Sequence, residues 1–395
     1  MRWLNRERLT VYPRIILIGY ILCGAALALS AAFSKTGLTD FRDAPLGADF
    51  SHYWIASSLV QAGHPLTVYQ APEFVAALEA FFKVKYAVPW LYPPTFLLMV
   101  YPLAFLPYLV SLGLWLAVTL AAFLAVVRRL APHPLTPWLA LAFPGTFQNF
   151  FNGQNGFLTA ALLGGGLGLL NHSPWAAGCL LGLVSYKPHL FALVPVALLA
   201  ARRLQALVAS LATALLLGLA SLWVFGPGVW AAFGENLGLA MSLAQAGLLP
   251  INKLVTIFGA LLQVGVGFSN ALIIQAVVMV VVAAAVFSVW RRQISLARQA
   301  AILVLSTFLF TPYAFSYDLA LLALPLAWLG WEGYHTGWRP GEPGLLCLGW
   351  LLPFIAPMLA IIKCPITPLI LTALLILVVK SSKAGAAPRP APINP

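Results

Sequence analysis

Acidic side chains are what this chain has least of: 10 Asp and Glu stand among 395 residues, and all charged residues together make up 8%. With 62% of its residues hydrophobic, a water-soluble fold would lack the polar surface needed to cover itself. Cysteine is scarce as well. Cys23, Cys179, Cys347 and Cys364 show no paired spacing, which argues against a disulfide framework or a cysteine-based metal cluster. No His/Cys spacing matches a zinc site, so no metal is expected. The apolar runs also lack the alternation of a lipid-facing strand, which excludes a membrane β-barrel.

What is present is a series of continuous apolar runs. The first, Ile15 to Phe33, is long enough to cross roughly 30 Å of hydrocarbon as a helix, and similar runs recur to the C-terminal end. The fold class read from this is an all-α polytopic membrane protein with about 10–12 transmembrane helices. Residues 1–380 form its single domain. The Ala/Pro-rich stretch 381–395 reads as a disordered cytoplasmic tail. Residues 2–32 have the outline of a secretory signal, but the many later spans favour a retained anchor.

The net charge of +12 reports topology. Basic residues fall as short punctuation between spans, at Arg128-Arg129, Arg202-Arg203 and Arg291-Arg292, marking cytoplasmic ends. Nucleic-acid binding would need them gathered on one surface, so no nucleic-acid partner is expected. With these clusters inside, residues 34–93 become a first extracytoplasmic loop. Asp49 to Gln61 and Pro72 to Phe82 carry apolar residues at helical spacing, which suits two amphipathic helices on the interface. Residues 226–269 form a second outer segment by the same bookkeeping.

Polar groups then collect on one face. Asp49 leads, because an acid held among aromatics at the edge of a bilayer is costly to keep. It is a candidate general base, with His52 one turn on to orient it or share the proton. The competing reading is a helix N-cap. Lys187 lies outside, against the positive-inside bias, and its three donors suit a phosphate, although a snorkelling lysine would look the same. Asp318 can bind a sugar hydroxyl, pair with a cation such as Lys187, or cap the following helix. Asn152 and Gln154 sit in a polar turn whose amides suit sugar hydroxyls, as well as an ordinary turn.

The order of these pieces resembles the GT-C membrane glycosyltransferases, and most closely glycosyltransferase family 87, known also as DUF2029. The matching residues are Gly47-Ala48-Asp49-Phe50 with Tyr53, Gly63-His64-Pro65 with Tyr69, and Leu91-Tyr92-Pro93-Pro94. Gly153-Gln154-Asn155, Lys187-Pro188 and the stretch from Pro312 to Asp318 complete the set. The family often carries a histidine before its late Leu-Pro, where this chain has Ser316-Tyr317-Asp318.

The resemblance implies a GT-C-like bundle and an inverting transfer of mannose or another sugar. The donor would be a polyprenyl-monophosphate sugar, the acceptor a lipid or glycan, and no further cofactor is expected. It puts the catalytic aspartate at Asp49. Lys187, His189 and Tyr92 would meet the donor phosphate or lipid, and Tyr53, Trp54, Tyr69, Asn152, Gln154 and Asp318 the sugar or acceptor. The expected setting is a bacterial inner membrane with the active site on the periplasmic side and membrane lipids as partners. A transporter or flippase for a lipid-linked saccharide is the alternative from another class.

Overall fold

The computed structural model describes residues 6–85, 89–247 and 251–383. Among these residues it is helical throughout and contains no strand, only two isolated bridges. Five helices are long and apolar enough to cross a membrane: Glu7–Ala32, Tyr108–Leu130, Leu204–Phe225, Phe268–Trp290 and Glu342–Ile361. Their outer faces are apolar because their solvent is hydrocarbon; Leu215, Leu216, Leu219 and Trp223, for example, are exposed along one of them. The chain is thus a polytopic integral membrane protein.

The other apolar runs form shorter helices, among them Pro94–Phe105, Gly156–Leu169, Pro174–Tyr186, Pro188–Ala200 and Leu296–Phe310. Proline explains the shortening: Pro94, Pro174 and Pro188 each occupy the first turn of a helix, where their missing N–H is harmless. Several of these short helices contribute to the interior, and Arg298 to Leu309 is buried along its whole length. Gly178 and Gly182 let Pro174–Leu183 approach Leu204–Phe225 closely. A Cβ at either glycine would lie 2.4 and 2.5 Å from the carbonyl oxygens of Ala206 and Ser210, respectively.

The first loop folds as its periodicity predicts, with helices Phe50–Gln61 and Ala71–Phe82. A longer helix, Pro227–Gln245, and a short one, Ile257–Gln263, occupy the second loop segment. Gln275, fully buried in Phe268–Trp290, donates to the Leu309 and Phe310 carbonyls and accepts from the Phe258 N–H. One amide thereby closes the end of one helix and the start of another. The last helix runs to Lys383, and the expected tail beyond it, 384–395, lies outside the described residues.

Candidate active site

Asp49 stands directly before helix Phe50–Gln61, yet its side chain makes no capping bond to that helix. The carboxylate turns instead toward the turn that ends helix Pro144–Asn152, where Oδ2 accepts from Gln154 Nε2 at 2.8 Å. The two loops are also joined through the backbone, the Asp49 N–H donating to the Asn152 carbonyl at 2.9 Å.

Only glycine permits this approach. Gly153 has φ +63°, and a Cβ there would lie 2.6 Å from the Phe50 Cβ. Asn149 fixes the same turn, its Nδ2 donating to the Gln154 carbonyl at 3.0 Å.

From Gln154 a hydrogen-bonded chain continues inward. Its Oε1 accepts from the Tyr53 hydroxyl at 2.7 Å and from the Asn155 N–H at 3.2 Å, and Tyr53 lies 3.1 Å from the Tyr92 hydroxyl. Tyr53 and Gln154 are buried, whereas Asp49 and Tyr92 at the two ends are partly exposed. Rings hold the chain in place. Tyr53 meets Trp90, Tyr92, Phe96 and Trp115 edge-on, with Phe96 nearest at 5.1 Å.

The Tyr313 to Asp318 turn adjoins these groups. Lys187 Nζ and Asp318 Oδ1 form an ion pair of 2.6 Å in which each side chain is 2% exposed. Asp318 Oδ2 accepts from the Phe315 N–H, and the Lys187 ammonium lies 5.6 Å from the Tyr317 ring centre. His189 meets the Tyr313 ring at 5.9 Å. Burial raises the proton affinity of the Tyr53, Tyr92, Tyr313 and Tyr317 phenols, and the nearby Asp49 carboxylate adds to the effect at each. Asp318 also contributes at Tyr92, Tyr313 and Tyr317, so the two acids border one set of phenols.

The structure gives the remaining sequence candidates the following partners. Trp54 does not share the Tyr53 face: its indole N–H donates to the Leu106 carbonyl and its ring packs on Phe81 at 4.7 Å. Consecutive helical residues diverge by about 100°, so both cannot point the same way. Tyr69 is 3% exposed and donates to the Tyr92 carbonyl, which makes it a support for the backbone of Tyr92. His52 packs on Phe74 at 5.9 Å, with Nδ1 3.4 Å from the Ser51 hydroxyl. Asn152 spends its amide N–H on the Gln148 carbonyl of its own helix. Lys187 is buried against Asp318, the pairing that the sequence offers as one of the roles for that acid. Tyr317 was not singled out from the sequence, although the alternation Tyr313, Phe315, Tyr317 ahead of Asp318 carried the signal.

The profile of glycosyltransferase family 87 matches residues 90–312. The matched interval includes Tyr92, Asn152, Gln154, Lys187 and His189, begins after Asp49 and ends just before Tyr313. No curated protein and no solved structure matches the chain.

Proposed function

The chain belongs to glycosyltransferase family 87, and from that premise we propose that it transfers a sugar, mannose or another hexose or pentose, from a polyprenyl-monophosphate donor to a lipid or glycan hydroxyl at the outer face of the membrane. The observation that carries this reading is Asp49. Its carboxylate is not used as a cap, is held through Oδ2 by Gln154, and remains partly exposed beside a wall of aromatic rings. A fixed carboxylate whose other oxygen accepts no bond among the described residues is what a single displacement requires.

In that displacement the acceptor oxygen attacks the anomeric carbon from the face opposite the phosphate. The new C–O bond forms as the sugar–phosphate bond breaks, through an oxocarbenium-like state. Asp49 takes the acceptor proton, and the polyprenyl phosphate leaves with the bonding electron pair. The rings of Tyr92 and Tyr317 supply π faces to a sugar that carries partial positive charge. Family membership favours transfer over transport of the same lipid-linked saccharide.

The test is transfer by the purified protein in lipid nanodiscs, supplied with labelled polyprenyl-phosphate mannose or arabinose and a membrane lipid extract as acceptor. Asp49→Asn should lower the rate by about 10²–10⁴-fold, the usual contribution of a positioned base, while the protein elutes and melts as wild type. A folded Asp49→Asn protein with full activity would remove the base assignment.

A further inference from the structure

The hydrogen-bonded chain from Asp49 to Tyr92 has only one consistent direction. The Asn155 backbone N–H can only donate, and it points at Gln154 Oε1 at 3.2 Å. That identifies Oε1 as the oxygen of the amide, so Nε2 is the group facing Asp49. The amide cannot flip without setting N–H against N–H at one end and oxygen against carboxylate at the other. The Tyr53 hydroxyl, 2.7 Å from the same Oε1, must then donate to it. A phenol has one proton. With that proton used, Tyr53 can only accept at its 3.1 Å contact with Tyr92, and Tyr92 is the donor.

The two middle members, Tyr53 and Gln154, are 1% and 3% exposed, so substrate can meet the chain only at its ends. One end is the Asp49 carboxylate. The other is a Tyr92 oxygen whose proton is already committed, and its ring is pinned by Phe96 at 4.5 Å while its backbone carbonyl is bonded by Tyr69.

We infer that Tyr92 is a specificity-determining residue: it offers the substrate an oxygen that accepts but does not donate, and so selects a sugar bearing a hydroxyl proton at the facing position. This replaces its expected role beside the donor phosphate, since an acceptor oxygen repels a phosphate oxygen. The inference rests on the transferase reading for the identity of the substrate, but not for the direction of the chain.

Two measurements separate those parts. In the first, difference infrared spectra are taken between wild type and Tyr92→Phe, each with ring-labelled tyrosine and no substrate. The Tyr53 C–O stretch should move from the position of a phenol that both donates and accepts to that of one that only donates. A shift reporting a freed Tyr53 proton overturns the inference.

In the second, transfer is measured from polyprenyl-phosphate mannose and arabinose and from their monodeoxy and deoxyfluoro forms. In wild type, one position should be sensitive, with deoxy and fluoro forms both reduced about tenfold, the loss expected for one hydrogen bond in a desolvated site. Tyr92→Phe should lose a similar factor with the parent sugar and show no further loss at that position. Because each analogue is compared across the two proteins, the inductive effect of fluorine cancels. Equal sensitivity of wild type and Tyr92→Phe at every position overturns the inference. If wild type transfers neither sugar, the donor reading fails, and the infrared result alone decides the direction of the chain.

Discussion

Replacing Lys187 by methionine distinguishes a structural lysine from one that binds phosphate. The ammonium and the Asp318 carboxylate meet at 2.6 Å with each side chain 2% exposed, so the substitution strands a carboxylate that water cannot reach. Removing one partner of such a pair typically costs about 3–5 kcal/mol, because the remaining charge stays buried without compensation. For a chain of this size that corresponds to a fall in melting temperature on the order of 5 °C. Lys187→Met with Asp318→Asn should recover most of the loss. The double variant has no stranded charge, and the asparagine oxygen can still accept from the Phe315 N–H that Asp318 Oδ2 holds at 2.9 Å. The assay is thermal unfolding in one detergent at one scan rate, since membrane proteins seldom unfold reversibly, together with donor binding below the melting range. A Lys187→Met protein that melts with wild type but binds a polyprenyl-phosphate sugar more weakly would refute the argument and return the lysine to the phosphate.

Gly153→Ala should separate the two loops that meet at Asp49. A left-handed backbone costs an L-residue about 1–2 kcal/mol, and the new Cβ would also lie 2.6 Å from the Phe50 Cβ, an atom that cannot swing aside. Gly37→Ala is the control, because Gly37 has φ +69° with nothing within 4 Å; activity should fall with the first substitution and persist with the second. Asp40 supplies a pH-dependent device in the first loop. Burial favours its neutral form, but bonds from the Arg42 side chain and from the Arg42 and Ala44 N–H groups outweigh burial and hold its pKa below 3.8. A depressed carboxylate pKa adds stability that is present above the unfolded pKa and lost as pH falls through the folded one. Asp40→Asn should therefore speed hydrogen exchange across residues 39–45 at neutral pH, by no more than about 1 kcal/mol because Arg42 is exposed. The difference from wild type should vanish in acid, and a gap that widens there would contradict the assignment.

Composition and periodicity were enough to read the helical membrane fold and both helices of the first loop, because each depends on local pattern alone. Charge parity went further, setting the Asn149 to Asn155 turn and the Lys187 turn beside Asp49, and Asp49 does meet Asn152 and Gln154 directly. What sequence does not carry is the direction of a side chain on a helix of unknown rotation. Tyr53 and Trp54 are neighbours with equal claims as sugar platforms, yet one faces Gln154 and the other Phe81. Pairing between distant residues is left open in the same way. Lys187 and Asp318 are 131 positions apart, and the sequence offers their pairing only as one role among several for Asp318.

That pairing bears on the chemistry proposed for the site. Lys187 and Asp318 cancel at close range, so of these three groups Asp49 carries the charge left to face substrate. A lone carboxylate among ring faces favours positive charge on the sugar, which is where an oxocarbenium-like state develops. It does not favour accumulation of the departing phosphate, whose charge rises as the bond breaks. Once Asp49 has taken the acceptor proton it is neutral, and with Lys187 paired to Asp318 neither group attracts the product lipid phosphate. On this argument Lys187 promotes turnover by being neutralised. An unpaired ammonium at its position would hold the polyprenyl phosphate after transfer, and Asp318→Asn in an otherwise intact protein should slow product release more than it slows the chemical step. Single-turnover and steady-state rates measured on one preparation separate the two. Equal slowing of both would mean that the pair acts through the shape of the turn and not through charge.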